Sequence, residues 1–330
     1  MRVTRRQLLL AASAAGVTNV SLSQALAQSA AWPNRPVRVV VGFPAGGLTD
    51  VLARAYGDYV SQKLGQPMVI ENKPGVSGML AGAEVAKAAP DGYTLWFTIT
   101  GSMNQNRVLY KKIPYDMDKD FAYVAGFDSG HLPLSVPGNS PIKNMRDLVE
   151  LGKKQRITIG TYSPGSWPHM IAQQLQKVYG VDAEAVHYKG ESPMYVDLAG
   201  GQITAAMGSM VGLNPHLQSG KLRPIAVPTN VRSPLLPEVA TFLEQGFREP
   251  VFVIDGWLGM FAPAGTPKEI IQRISSLVQE AARESPRVKT LIKTYGLKDR
   301  PMTAEEFEKF DKEIKPQWNG LARELGVTLD

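Results

Sequence analysis

Val37-Arg38-Val39-Val40-Val41-Gly42-Phe43-Pro44-Ala45-Gly46-Gly47-Leu48-Thr49-Asp50 is a β-branched run that stops at a glycine-rich turn and opens directly into a helical pattern. The glycines let backbone N–H groups approach a ligand without obstruction by Cβ, and the first helical turn adds unpaired donors and a partial positive charge. A strand, a glycine-rich loop and a helix start, in this order, make a site suited to an anion.

The same alternation continues on both sides of this stretch. Val51, Leu52, Ala55, Tyr59 and Leu64 recur at helical spacing until Gly65, Pro67–Glu71 reads as a second strand, and Asn72-Lys73-Pro74-Gly75 is turn chemistry. A small-residue helix over Met79–Ala88 and a third strand over Tyr93–Ile99 follow. Strands alternating with helices predict a parallel sheet with covered faces, whose ligands sit beyond the carboxyl ends of the strands. A second set begins near Ser140, with a helix over Met145–Gly152 and a strand over Ile157–Thr161. That strand runs into Tyr162-Ser163-Pro164-Gly165-Ser166-Trp167-Pro168-His169 and a helix through Tyr179, with Ser166 as N-cap and Pro168 tolerated in the first turn. Each half of the chain thus places a glycine-bearing loop before a helix N-terminus, and facing halves would offer donors to a bound acid from both sides. Farther on, Pro267–Arg283 reads as a helix capped by Thr266, and Thr303-Ala304-Glu305-Glu306 opens another with a capping box; both are expected to pack on the first domain.

The N-terminus reads as an export signal. Arg5-Arg6 precede the apolar Leu8-Leu9-Leu10, and Ala25-Leu26-Ala27 supplies the small residues of a cleavage site after Ala27. The twin arginine fits the Tat route and the general Sec route alike. The apolar stretch is shorter than the ~20 residues a membrane span needs. Arg2, Arg5 and Arg6 leave with the signal, which reduces the 36 basic residues to 33 against 30 acidic ones. These charges are scattered, as in Lys298-Asp299-Arg300, so the sequence pI of 9.3 does not imply nucleic acid. The absence of cysteine excludes disulfides, thiolate metal sites and cysteine nucleophiles, and it is compatible with a periplasmic location.

The motifs of the common α/β enzymes are missing. Gly42–Gly47 lacks the second glycine of a dinucleotide fingerprint and the lysine of a P-loop, and there is neither a Gly-x-Ser-x-Gly elbow nor a His-Glu-x-x-His pair. His131, His169, His187 and His216 have no metal-ligand spacing. The residues therefore read as an anion-binding site with no catalytic residues, metal or organic cofactor, an α/β enzyme being the remote alternative.

Ordered motifs along the whole chain carry a resemblance: Trp32-Pro33-Asn34-Arg35-Pro36, Phe43-Pro44-Ala45-Gly46-Gly47 with Thr49-Asp50, Glu71-Asn72-Lys73-Pro74-Gly75, Ala89-Pro90-Asp91-Gly92-Tyr93, Tyr188-Lys189-Gly190, Leu198-Ala199-Gly200-Gly201-Gln202, Gly220-Lys221-Leu222-Arg223 and Ala262-Pro263-Ala264-Gly265-Thr266-Pro267. With these the chain resembles the solute receptors of the tripartite tricarboxylate transporter family, the Bug or TctC receptors. The resemblance implies an α/β periplasmic binding protein of type II with two domains, which closes on a small organic acid and delivers it to membrane subunits of a transporter. A sensor kinase is an alternative partner, and a monomer is expected. The implied boundaries are residues 1–27 for the signal, 28–135 and 225–330 for domain 1, and 136–224 for domain 2. Crossings between them are expected over Gly130–Pro137 and Leu222–Pro228.

Carried over by position, the resemblance implies ligand contacts at Phe43, Ala45, Gly46, Gly47, Thr49 and Asp50, with Thr100, Gly101 and Ser102 after the third strand. In the second domain it implies Ser163, Gly165, Ser166 and His169, with Tyr188, Lys189 and Gly190 bordering the pocket. Leu48, Thr204 and Gly208 depart from the usual pattern, Gly208 standing where an aspartate is frequent. Lack of that acid argues against an amino-acid ligand. Trp167, Tyr162, Met207 and Met210 are then expected to face an apolar ligand body, which favours a dicarboxylate or an aromatic carboxylate.

Overall fold

The Val37–Val41 run forms strand β1, buried along its length except at Arg38, in a computed structural model that describes residues 32–330. The expected signal and its cleavage site lie outside the described residues. Helix α1 (Leu48–Leu64) returns along the sheet and ends at left-handed Gly65, after which β2 (Met68–Asn72) pairs parallel to β1. Helix α2 (Met79–Ala86) leads to β3 (Thr94–Ile99), parallel to β1 on its other side. A π-helical turn over Gly101–Gln105, the short α3 (Asn106–Leu109) and β4 (Phe121–Asp128) complete the first pass.

The chain then crosses to a second sheet. Its elements are β5 (Leu134–Pro137), α4 (Met145–Lys154), β6 (Ile157–Thr161), α5 (Trp167–Tyr179), β7 (Ala183–His187), α6 (Glu191–Ala199), β8 (Ala205–Met207), α7 (Met210–Gln218) and β9 (Leu222–Ala226). Leu222–Pro228, expected to carry the return crossing, holds β9 itself. Residues beyond β9 stay with this sheet: the Gln245 side chain bonds the Ile225 carbonyl and the Met145 amide, and Phe247 and Phe252 pack on Tyr179 of α5. Strand β10 (Trp257–Pro263) re-enters the first sheet, followed by α8 (Lys268–Glu284), α9 (Pro286–Tyr295) and α10 (Ala304–Glu324). No helix among the described residues is long and apolar enough to cross a membrane.

The strand orders are β2-β1-β3-β10-β4 and β7-β6-β8-β5-β9. Both sheets are mixed, not parallel throughout. β10 runs antiparallel to β3 and β4, and β5 antiparallel to β8 and β9. Each is the first strand laid down after the chain changes sheets, so no crossover helix imposes a parallel direction on it. All seven residues of β10 are buried, as its central place requires. Ile274, Leu277, Val278 and Ala281 of α8 join Leu52, Tyr56 and Val60 of α1 in one core over this sheet. Thr303 and Glu306 form the expected capping box on α10. Thr266 is not the cap of α8: its hydroxyl donates back to the Pro263 carbonyl at 2.7 Å, closing the preceding turn, and Pro267 takes the cap position.

Candidate functional site

Because both sheets send the carboxyl ends of their parallel strands toward each other, the loops after β1, β3, β6 and β7 enclose one cavity. It offers about 140 Å³ to the centre of a water molecule. The loops touch across it: a Cβ on Gly190, at φ +102°, would come within 3.2 Å of the Pro44 ring.

On the first-sheet side the wall is made by Phe43, Pro44, Ala45, Gly47, Leu48 and Thr49, joined by Ile99, Thr100, Gly101 and Gln105. Gly47 is the N-cap of α1, and no side chain caps this helix, so its first-turn N–H groups are left for a ligand. Gly46 and Asp50 serve the loop itself. Asp50 Oδ2 accepts the Gly46 N–H at 3.0 Å and Oδ1 accepts Arg54 Nε at 2.9 Å, while Asn72 links Arg54 to the Phe43 carbonyl. Burial pushes the Asp50 pKa up, but the bonds from Arg54 and Gly46 outweigh it and hold the group below the usual carboxylate range. The Thr100 hydroxyl accepts from the Trp257 N–H at 2.8 Å and donates to the Trp257 carbonyl at 3.0 Å, fixing the start of β10. Ser102 points away from the cavity and donates to the Ser77 carbonyl. Gln105 is buried in the wall, and its Oε1 has no partner.

On the second-sheet side the wall holds Tyr162, Ser166, Trp167, Lys189, Gly190, Glu191, Ser192, Pro193 and Ser209. Ser166 is the N-cap of α5 as expected, but its hydroxyl donates to the Ser163 carbonyl at 2.6 Å, which leaves this helix start uncapped as well. Ser163 and Gly165 shape the loop behind the wall, and Gly165 packs against Leu109. His169 also lies behind the wall. Its Nδ1 accepts the Gly165 N–H at 3.0 Å, its ring meets His187 edge-on at 4.6 Å, and burial with the charge of His187 lowers its pKa to about 4. Tyr188 turns outward to Asp197 Oδ2 at 2.8 Å. Gly208 sits behind Glu191 and Tyr195, and Met207 and Met210 fill the core of the second lobe instead of facing the cavity.

Ser129, Leu132, Gly256, Trp257, Leu258 and Trp318 close the remainder of the wall. They come from the crossing after β4, from β10 and the glycine before it, and from α10, and only the topology brings them together. The Trp257 indole donates to buried Asp311 Oδ1 at 2.9 Å, and that carboxylate also accepts from Asn104 and Tyr123. Lys189 and Glu191 are the two charged residues of the wall. The site therefore combines uncapped helix starts, hydroxyls and a mostly aromatic and aliphatic surface. No cluster of metal-ligating side chains exists among the described residues.

Two lobes with a cavity between the carboxyl ends of their strands define a binding protein of the periplasmic two-lobe class, and solved structures agree. The Rpa4515 protein of R. palustris, solved with adipate, is 31% identical with a TM-score of 0.84, over 90% of this chain and 99% of that one. The periplasmic binding protein BugD is 30% identical with a TM-score of 0.81, over 90% and 99%. BugT of Bordetella pertussis is 31% identical over 90% of this chain and 91% of its own. The family described as tripartite tricarboxylate transporter family receptor matches residues 52–327, and the chain belongs to it.

Proposed function

We propose that this protein is a periplasmic receptor that captures a small organic carboxylate by closing the lobe built on β2-β1-β3-β10-β4 against the lobe built on β7-β6-β8-β5-β9, and presents it to the membrane subunits of its transporter. The observation that carries this reading is the cavity walled by both lobes, onto which α1 and α5 open without side-chain caps. Backbone N–H groups at Gly47, Leu48 and Thr49 on one side and at Trp167 on the other would hold the carboxylate, with Lys189 at the edge. Phe43, Ile99, Leu132, Trp257 and Leu258 would cover an apolar or aromatic body. Adipate in the R. palustris relative supports a carboxylate as the ligand. A ligand that bridges the lobes stabilises the closed state by its differential affinity, and that state is what a membrane partner reads.

Thermal unfolding of ligand-free protein against mono-, di- and tricarboxylates, aromatic acids and amino acids tests the reading. A true ligand at 100 times its Kd should add about 2.7 kcal/mol to folding stability. No shift with any carboxylate would sink it.

A further inference from the structure

One wall group opposes the anion chemistry of the rest. Glu191 opens α6 at the cavity wall, where its Oε1 accepts the Ser209 N–H at 2.7 Å and its Oε2 accepts the Ser209 hydroxyl at 2.5 Å. Burial outweighs the two Ser209 bonds and holds its pKa above the usual carboxylate range, so an unpaired charge there is unfavourable and a cationic partner would favour it. It lies at the N-termini of both α6 and α7, which favours the charged form. Each carboxylate oxygen can accept two hydrogen bonds and here accepts one, so each keeps capacity for a further donor. A half-buried carboxylate without a cation is costly, and among the described residues no Lys, Arg or His forms an ion pair with it. A dicarboxylate would add a second anion at the same wall, whereas an ammonium group would complete it.

We infer that Glu191 selects a ligand whose carboxylate is accompanied by a nearby ammonium group, an amino acid with an apolar or aromatic side chain. The inference rests on the carboxylate-receptor reading above. It also reverses the expectation drawn from Gly208. A Cβ built at that position stands 3.1 Å from Glu191 Oε1, so an acid occupies this part of the pocket although it comes from a different residue. Capping α7 alone would not need the charge, because a glutamine at position 191 can accept the same Ser209 N–H.

The test is calorimetric titration of ligand-free protein and its Glu191→Gln variant with apolar and aromatic L-amino acids, each paired with its deaminated acid, and with adipate. The wild type should bind the preferred amino acid at least about tenfold more tightly than its deaminated partner, and Glu191→Gln should bring the pair within about twofold. Tighter binding of deaminated acids or adipate by the wild type, or an amine preference that survives in Glu191→Gln, overturns the inference and leaves the receptor reading standing. If no carboxylate of either kind binds, both readings fall. The wild-type comparison decides even if the variant does not fold.

Discussion

The indole of Trp167 meets that of Trp318 edge to face, with ring centroids 5.6 Å apart and planes at 90°. Trp167 begins α5 beside the second sheet and Trp318 belongs to α10, which packs on the first. The contact therefore spans the two lobes at the cavity wall. Gln173 and Lys177 of α5 reach carbonyls at the end of α10, and Ser77 touches the Pro164 carbonyl nearby.

If this contact forms on closure, its energy belongs to binding and not to folding of the open protein. An edge-to-face pair contributes about 0.5–1.5 kcal/mol beyond its buried area. A double-mutant cycle with Trp167→Leu and Trp318→Leu should show a coupling of that size in ligand affinity and a much smaller one in urea unfolding of ligand-free protein. Equal coupling in both measurements would mean that the pair persists in the open state.

Aspartate at position 208 is expected to destabilise the second lobe. The new Cβ would meet the Tyr195 hydroxyl at 2.9 Å and Glu191 Oε1 at 3.1 Å, placing two carboxylates together with no cation between them. Gly208→Asp should lose about 2–4 kcal/mol, and Glu191→Gln in the same chain should recover part of it. Denaturant unfolding of the four proteins checks this, and a Gly208→Asp variant as stable as the wild type would show that the pocket has room for both acids.

The elements were legible where local chemistry decides them. The valine run of β1, the stop at Gly65 and the Thr303 capping box depend on residues within a few positions of each other. Sheet direction was not legible, because β10 finds β3 and β4 only after the chain has crossed twice. The same distinction divides the site. Phe43–Ala45, Gly47–Thr49 and Ser166–Trp167 line the cavity from contiguous loops, while Ser129, Trp257 and Trp318 reach it through contacts remote in sequence. Gly46, Asp50, Ser163 and His169 sit in the right loops but spend their polar groups holding those loops in shape. Glu191 carried a readable signal, an acid at a helix start directly after Tyr188-Lys189-Gly190. Its bond to Ser209 depends on the approach of α6 and α7.

Asp311 supports the cavity from behind. It is fully buried and takes hydrogen bonds from Asn104 Nδ2 at 2.8 Å, Trp257 Nε1 at 2.9 Å and the Tyr123 hydroxyl at 2.7 Å. Asp311→Ala leaves these donors without an acceptor and should cost about 3–5 kcal/mol. Asp311→Asn keeps one oxygen and should cost less, about 1–3 kcal/mol, while still weakening ligand binding through Trp257. Unfolding by urea and calorimetric titration of the two variants separate these effects, and an unaltered affinity in Asp311→Asn would show that the Trp257 position does not depend on this carboxylate.

Acid should destabilise the protein over a range that its histidines set. His169 has its folded pKa lowered to about 4, below an ordinary value of 6.5, because burial and the neighbouring His187 disfavour its charged form. As pH falls below 6.5 the unfolded chain takes up a proton that the folded chain refuses, so stability declines until about pH 4 and then levels for this group. His131, His187 and His216 are shifted in the same direction by burial, whereas the raised Glu191 works oppositely. Arg156, Asp182 and Glu184 share the depression that His169 and His187 face, so salt will modulate the effect. His169→Asn retains an acceptor for the Gly165 N–H and removes the titration. Its thermal midpoint should therefore fall less steeply than that of the wild type between pH 6.5 and 4, and parallel profiles for the two proteins would exclude His169 as the source.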